Sequence, residues 1–453
     1  MAIPAGAPML TLLAFVVTLG LLVTVHEYGH YWVAKRCGIK VLTFSIGFGK
    51  PLLTWQRGET TWQLAMLPLG GYVKMLDERE APVAPFELPR TFNQQHPGKK
   101  IAVVLAGPLA NLILACGLYA GLNTWGFDAM RAVAGQIVAD SPAARAGIRS
   151  GDEILQVGTQ RITTWDQFFI ALIDEAGSDE PLQVTVRSPG QGERSVSLPP
   201  VATSQISPQL PGSLGILAAP LSTRISQVTP GSAAERAGLR AGDTVLALDG
   251  ARLASWPAFQ AEIARRAGQS VQITVQRDGK AVIFAATPDR ANVDGREVGR
   301  LGLVPALDQA KWDAQRIRLQ YGPVEAVQLG LTKAWTYARI TLVMFGRMLV
   351  GAAPLDQVSG PVTIAVYAGE SARAGIGVYI DYLALISLSL AVLNLLPIPL
   401  LDGGHLMYHT AELLTGRPVP ARLEAIGQRI GLALLLGLMA LALFNDFNRF
   451  LPG

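Results

Sequence analysis

The chain has 453 residues, half of them hydrophobic, with a formal charge of +4 and a mean hydropathy of +0.32. So small a charge leaves no electrostatic footprint for nucleic acid, and the uneven spread of apolar residues argues for a membrane protein with soluble insertions. The only cysteines, Cys37 and Cys116, offer neither a disulfide framework nor a C-x-x-C metal pair.

A first apolar run extends from about Met9 to Ala34 and ends in Lys35-Arg36. Met1 to Pro8 carries no Lys or Arg, and the run is too long for a signal-peptide core, so a retained transmembrane helix is expected. Inside it lies Val25-His26-Glu27-Tyr28-Gly29-His30. Residues i and i+4 share a helix face, so His26 and His30 can grip one metal ion, and Glu27 can take a proton from water activated by that metal. Ionisable groups at membrane depth are costly and mark function by default. His26 sits about 26 Å along the run at 1.5 Å per residue, toward its Lys35-Arg36 end.

Residues 36–100 form the first loop. Val41-Leu42-Thr43-Phe44-Ser45, Leu52 to Trp55 and Thr60 to Ala65 read as strands separated by glycine-containing turns. This β-region at 41–75 is either a membrane-surface hairpin or an edge that receives an extended substrate. Residues 77–98, rich in Pro, Glu and Gln, read as a flexible excursion. A second span runs from about Ile101 to Leu122, interrupted by Gly107-Pro108 and Asn111. These serve packing or stand beside the metal. From Lys35 to Lys100 there are ten Lys and Arg, which places this loop in the cytoplasm and the following insertion on the outer side.

That insertion contains a repeat. Ser141-Pro142-Ala143-Ala144-Arg145-Ala146-Gly147-Ile148-Arg149-Ser150-Gly151-Asp152 recurs at Ser232 to Asp243, and Trp165 recurs at Trp256, with an offset of 91 residues (256 − 165). Each copy continues as strand, turn, helix and strand, giving two tandem α+β domains at 126–201 and 212–305, joined by the Pro- and Ser-rich stretch Leu198 to Pro211. The pattern S-x-A-x-x-A-G-[IL]-x-x-G-D resembles a PDZ domain of the bacterial type, which implies capture of extended peptides. Leu214, Gly215 and Ile216 are the candidate carboxylate-binding loop of the second copy. The first shows no equivalent before Val133.

Residues 306–352 read as a linker with amphipathic helices lying at a membrane interface, because Lys333, Arg339 and Arg347 recur through an apolar stretch. Residues 353–453 then hold two further spans, at about Tyr382 to Leu401 and Ile430 to Phe444. The first ends in Asn394-Leu395-Leu396-Pro397-Ile398-Pro399-Leu400-Leu401-Asp402-Gly403-Gly404-His405. Asp402, a carboxylate on an irregular segment at membrane depth, is the natural third metal ligand. A helix cap for the segment from Gly403 is the rival reading. His405 and His409 lack an intervening glutamate and read as a helix face near the interface.

H-E-x-x-H in a first span, G-P-x-x-N in a second, the tandem repeat and N-x-x-P-x-P-x-L-D-G-G together resemble the site-2 protease family of intramembrane zinc metalloproteases, in its bacterial form with two PDZ domains. The resemblance implies four spans, a membrane-associated β-loop in the first 125 residues and two PDZ domains between spans two and three. It implies one Zn²⁺ per chain on His26, His30 and Asp402, Glu27 as catalytic base, and Asn394 holding the substrate backbone. It also implies a monomer in the bacterial inner membrane, with the PDZ domains periplasmic. The expected substrates are single-span proteins already trimmed by another protease, such as anti-sigma factors, and remnant signal peptides. A catalytically silent membrane PDZ scaffold and a zinc transporter or sensor are the alternatives. Intact Glu27 argues against the first and a single three-ligand site with a base against the second.

Overall fold

The computed structural model describes residues 7–207, 210–253, 255–293, 296–351 and 358–450. The chain forms two units, one from residues 1–127 and 320–453 and the other from residues 128–319.

In the first unit, α1 (Ala7–Arg36), α2 (Pro97–Trp125), α3 (Pro323–Leu349), α4 (Pro361–Ala374), α5 (Ile376–Asn394), α6 (Asp402–Thr415) and α7 (Ala421–Phe450) are the described helices. Four of them, α1, α2, α5 and α7, are long and apolar enough to cross a membrane. At 30 residues α1 is about 45 Å long. Its Met9, Leu12, Leu13 and Val17 are exposed, as lipid-facing side chains are when no lipid is present. The chain is a multi-pass membrane protein. Pro97 starts α2, where His96 Nδ1 accepts from Gly98 N at 3.1 Å. The helix continues through Pro108 to Trp125 instead of breaking there.

The strands β1 (Val41–Arg57) and β2 (Thr60–Met75) curl into a sheet. Phe44 pairs with both Trp62 and Val73, and Ile46 with both Leu64 and Gly71. The order across the sheet is therefore 51–57, 60–65, 41–46, 71–75. Gly47 and Gly49, with φ of 94° and 89°, turn β1 back on itself. Phe44 is buried, and its ring lies 4.3 Å from that of Trp62 and 5.8 Å from that of Tyr31 on α1. Among the described residues no further strand covers the outer edge of 71–75.

The expected interfacial stretch is one 27-residue helix, α3, and it packs lengthwise along α2 where the sequence reading lays it flat. Asn123 Nδ2 donates to the Ala326 carbonyl at 3.3 Å. A Cβ on Gly330 would come within 3.1 to 3.3 Å of Ala120 and Cys116 backbone, and Ala334 is buried with Ala115 and Tyr119. Ala326, Gly330, Ala334 and Ala338 form a small-residue seam that lets the two backbones approach. The short α4 went unrecognised in the sequence. Its N-terminal amides of Gly360, Val362 and Thr363 donate to the Asp446 carboxylate of α7 at 2.9 to 3.2 Å.

In the second unit the two copies of the 91-residue sequence pattern carry matching local elements. The helices Trp165–Asp174 and Trp256–Ala264 are capped by Thr164 and Ser255. Asp152 and Asp243 each accept the amide three residues back, of Arg149 and Arg240, at 2.9 Å. The boundary between the copies differs from the expected one. Leu210, Leu214 and Ile216 are buried, and the strand Ile216–Leu217 pairs with Gln136–Ile137 of the first copy. The second copy closes in the same way, with Leu303–Leu307 pairing back to Leu221–Val228.

Candidate metal centre

Helical spacing puts His26 and His30 on one face of α1, with rings edge-to-face at 4.8 Å and Nε2 atoms 3.2 Å apart. Asp402, the first residue of α6, meets them from the far end of the chain. Its Oδ2 is 3.0 Å from His26 Nε2 and 3.5 Å from His30 Nε2. A tetrahedral zinc site with bonds of about 2.0 Å has ligand atoms about 3.3 Å apart, so the spacing fits. The electronic arrangement fits too. His30 Nδ1 lies 2.8 Å from the Val103 carbonyl, which can only accept, so Nδ1 carries the proton and Nε2 a lone pair. Asp402 Oδ2 is buried and has no donor among the described residues. Acceptors converging on one point in a buried site call for a cation. Among the described residues this is the one cluster of three His, Cys, Asp or Glu side chains placed to hold a metal.

Glu27 lies outside that cluster and faces the sheet: a Cβ on Gly71 would be 3.0 Å from its Cγ. The edge strand 71–75 thus runs beside the residue between the two histidines.

The approach of Asp402 depends on an irregular turn. α5 ends at Asn394, half-buried, and the chain turns through 395–401 with Leu400 at φ 86°. Leu401 is the helix cap, without a side-chain cap bond, so the rival reading of Asp402 as a cap does not hold. A Cβ on Gly403 would lie 2.1 Å from the Leu396 carbonyl, and one on Gly404 2.5 Å from that of Ile398. The double glycine therefore lets α6 start directly against the turn. His405 and His409 stay away from the cluster, as expected. His409 Nδ1 pairs with Glu412 Oε2 at 3.3 Å, and Glu412 holds the buried Lys100 at 3.0 Å.

One supporting residue escaped the sequence reading: Val103, whose carbonyl orients His30. Gly107, read in the sequence as serving packing or standing beside the metal, makes room for that ring, since a Cβ there would fall 2.2 Å from His30 Nε2. With Asn111 they occupy successive turns of one face of α2, and that four-residue spacing was the signal available.

The candidate loop Leu214, Gly215 and Ile216 belongs to the first copy of the repeat, not the second. Ala143 N donates to the Leu214 carbonyl at 3.0 Å and Val138 N to that of Gly215 at 2.9 Å. In the second copy Ala234 N and Thr229 N, each 91 residues on, donate to Leu301 and Gly302 at 2.9 and 2.8 Å. Leu301-Gly302-Leu303 is thus the counterpart. Its offset of 87 residues (302 − 215) departs from that of the rest of the repeat and hid it.

The model of Peptidase family M50 matches residues 14–438. A Neisseria meningitidis protein provisionally named a zinc metalloprotease is 43% identical over 97% of this chain and 99% of its own length. Proteins named regulator of sigma-E protease RseP are similarly related, at 40% identity in Salmonella typhimurium and 39% in Escherichia coli, each over 97% of this chain and 98% of theirs. With its metal-binding geometry and this kinship along almost its whole length, the chain belongs to Peptidase family M50, the site-2 protease family, and is a zinc metalloprotease.

Proposed function

We propose that the chain hydrolyses peptide bonds inside membrane-spanning segments, with one zinc held by His26, His30 and Asp402. The observation that carries this is the meeting of Asp402 Oδ2 with two histidine Nε2 atoms on a helix apolar enough to span a bilayer. Zinc there supplies Lewis acidity, polarising the scissile carbonyl and making water a nucleophile near neutral pH. Glu27 takes the proton of the attacking water and delivers it to the departing amide nitrogen as the C–N bond breaks. A helix hides its carbonyls, so the substrate must unwind. The uncovered edge 71–75 can then pair with it as an added strand, and Asn394 holds its backbone at the end of α5.

Relatives named for regulation of sigma-E support substrates of the anti-sigma class: single-span proteins cut after an outer trimming step, in the bacterial inner membrane. Remnant signal peptides suit the same chemistry. The basic loop 35–100 supports a cytoplasmic position for the sheet. The two repeats, read as PDZ domains, filter access from the periplasmic side.

Reconstitution in lipid vesicles with a single-span peptide tests the reading. Product masses are expected to locate the cut within the apolar segment, with no product from Glu27→Gln. Cleavage only outside that segment, or undiminished cleavage by Glu27→Gln, contradicts it.

A further inference from the structure

Both imidazoles of the cluster rest on one stripe of α2, in which Val103, Gly107 and Asn111 follow one another at intervals of four residues. The first two serve His30. The third stands at the other ring: Asn111 Nδ2 lies 3.5 Å from His26 Nδ1. Asn111 is fully buried, and its Oδ1 has no partner among the described residues. Its backbone carbonyl accepts from Ser387 Oγ of α5 at 2.8 Å, which ties this turn of α2 to α5 without touching the carboxamide.

A histidine that binds a metal through Nε2 carries its proton on Nδ1, and that proton needs an acceptor. Among the described residues the side chain placed to accept it for His26 is Asn111, through the oxygen that is otherwise orphaned. A half-turn of the carboxamide brings Oδ1 to where Nδ2 stands, because the two ends have nearly the same shape. Without metal, Nδ2 can donate to a ring whose proton sits on Nε2. With metal, Oδ1 accepts from Nδ1. A carboxamide serves both states, whereas an apolar residue of equal size serves neither.

We propose that Asn111 is a positioning residue for His26, fixing by its side-chain oxygen the tautomer that leaves Nε2 free for zinc. It touches neither substrate nor metal and acts through the imidazole. The inference rests on the three-ligand reading above.

The test is zinc affinity of the full-length protein in detergent, by competition with a chromophoric chelator, together with the visible absorption spectrum of the cobalt-loaded protein. Asn111→Leu, isosteric and apolar, is expected to weaken zinc binding about 10- to 100-fold and to shift the cobalt bands. Asn111→Asp keeps an acceptor and is expected to retain or raise the affinity. Ser387→Ala, which loses only the bond to the Asn111 backbone, is expected to bind zinc as the parent does. Parental affinity in Asn111→Leu overturns the proposal. So does equal weakening in Asn111→Asp, or in Ser387→Ala, which would trace the loss to helix packing. If His26→Ala itself retains parental affinity, the three-ligand reading has failed. If His26→Ala loses zinc while Asn111→Leu keeps it, only the present inference has.

Discussion

Gly107 and His30 lie so close that a single methyl on residue 107 would stand 2.2 Å from His30 Nε2. The approach is repeated at the adjoining residue of each helix, where a Cβ on Gly29 would be 2.3 Å from the Ala106 carbonyl. Two glycines thus let α1 and α2 pack backbone to backbone, the usual device for helices in lipid. The contact is also what brings the Val103 carbonyl within reach of His30 Nδ1.

Gly107→Ala is therefore expected to displace His30, lower bound zinc well below one per chain and remove proteolysis. Gly121→Ala, on the same helix with open space around it, is the control and gains about 1 kcal/mol of helix propensity. Metal content by mass spectrometry after gel filtration compares the two. Full zinc in Gly107→Ala contradicts the packing account.

Asp402 depends on close packing in the same way. Gly403→Ala places a methyl 2.1 Å from the Leu396 carbonyl and is expected to push the start of α6 away from the histidines, with loss of zinc. Leu400→Gly relieves a left-handed conformation that costs a non-glycine residue about 1 kcal/mol or more. It is expected to retain zinc and raise the temperature of thermal inactivation. A lower inactivation temperature for Leu400→Gly would show that its side chain is needed where it stands.

The reassigned loop gives a prediction about which domain responds. Gly215 has φ 88°, and a Cβ there would lie 2.1 Å from Ser141 Cβ; Gly302 has φ 76° and faces Ser232 in the same way at 2.3 Å. Gly215→Val is expected to cut amide hydrogen-exchange protection in the strand Leu182–Arg187 of the first copy by about 2 kcal/mol, leaving Val271–Arg277 of the second unchanged. Gly302→Val should do the reverse. Loss of protection in the second copy from Gly215→Val would return the loop to that domain.

Four spans, the histidine pair, the glutamate between them and the carboxylate at Asp402 were legible because each leaves a local mark: apolar length, i,i+4 spacing, or a charge where lipid makes charge costly. The repeat was legible through Ser141/Ser232 and Asp152/Asp243 at constant offset. The supports of the metal cluster were less so, since Val103 and Gly107 matter only for what α1 presses against them. The ownership of Leu214–Ile216 was hidden because strand pairing with Gln136–Ile137 reaches back across the whole first copy. In α3, Lys333 and Arg339 drew attention to polarity, while the seam Ala326, Gly330, Ala334 and Ala338 set the packing.

In the second copy, acid should act through Asp243. Two bonds from Arg277, at 2.7 Å each, hold its carboxyl below the usual carboxylate range. A lowered folded-state pKa means that the stabilisation is complete above the unfolded value of about 3.9 and is lost as pH falls through the folded one. Asp243→Asn is expected to cost the second copy about 2 kcal/mol at pH 7, and the gap from the parent should close below about pH 4. Hydrogen exchange of Val271–Arg277 at pH 7, 5 and 3 measures it. A gap that persists unchanged at pH 3 contradicts the ion-pair origin.

The central claim is that three side chains hold zinc and a fourth performs the proton transfer. Zinc per chain, measured alongside cleavage of a membrane-spanning substrate, separates the two roles in one set of variants. His26→Ala, His30→Ala and Asp402→Ala are each expected to lose most of their zinc and all cleavage, while Glu27→Gln keeps about one zinc per chain and cleaves nothing. Full zinc and normal cleavage in Asp402→Ala would contradict the account.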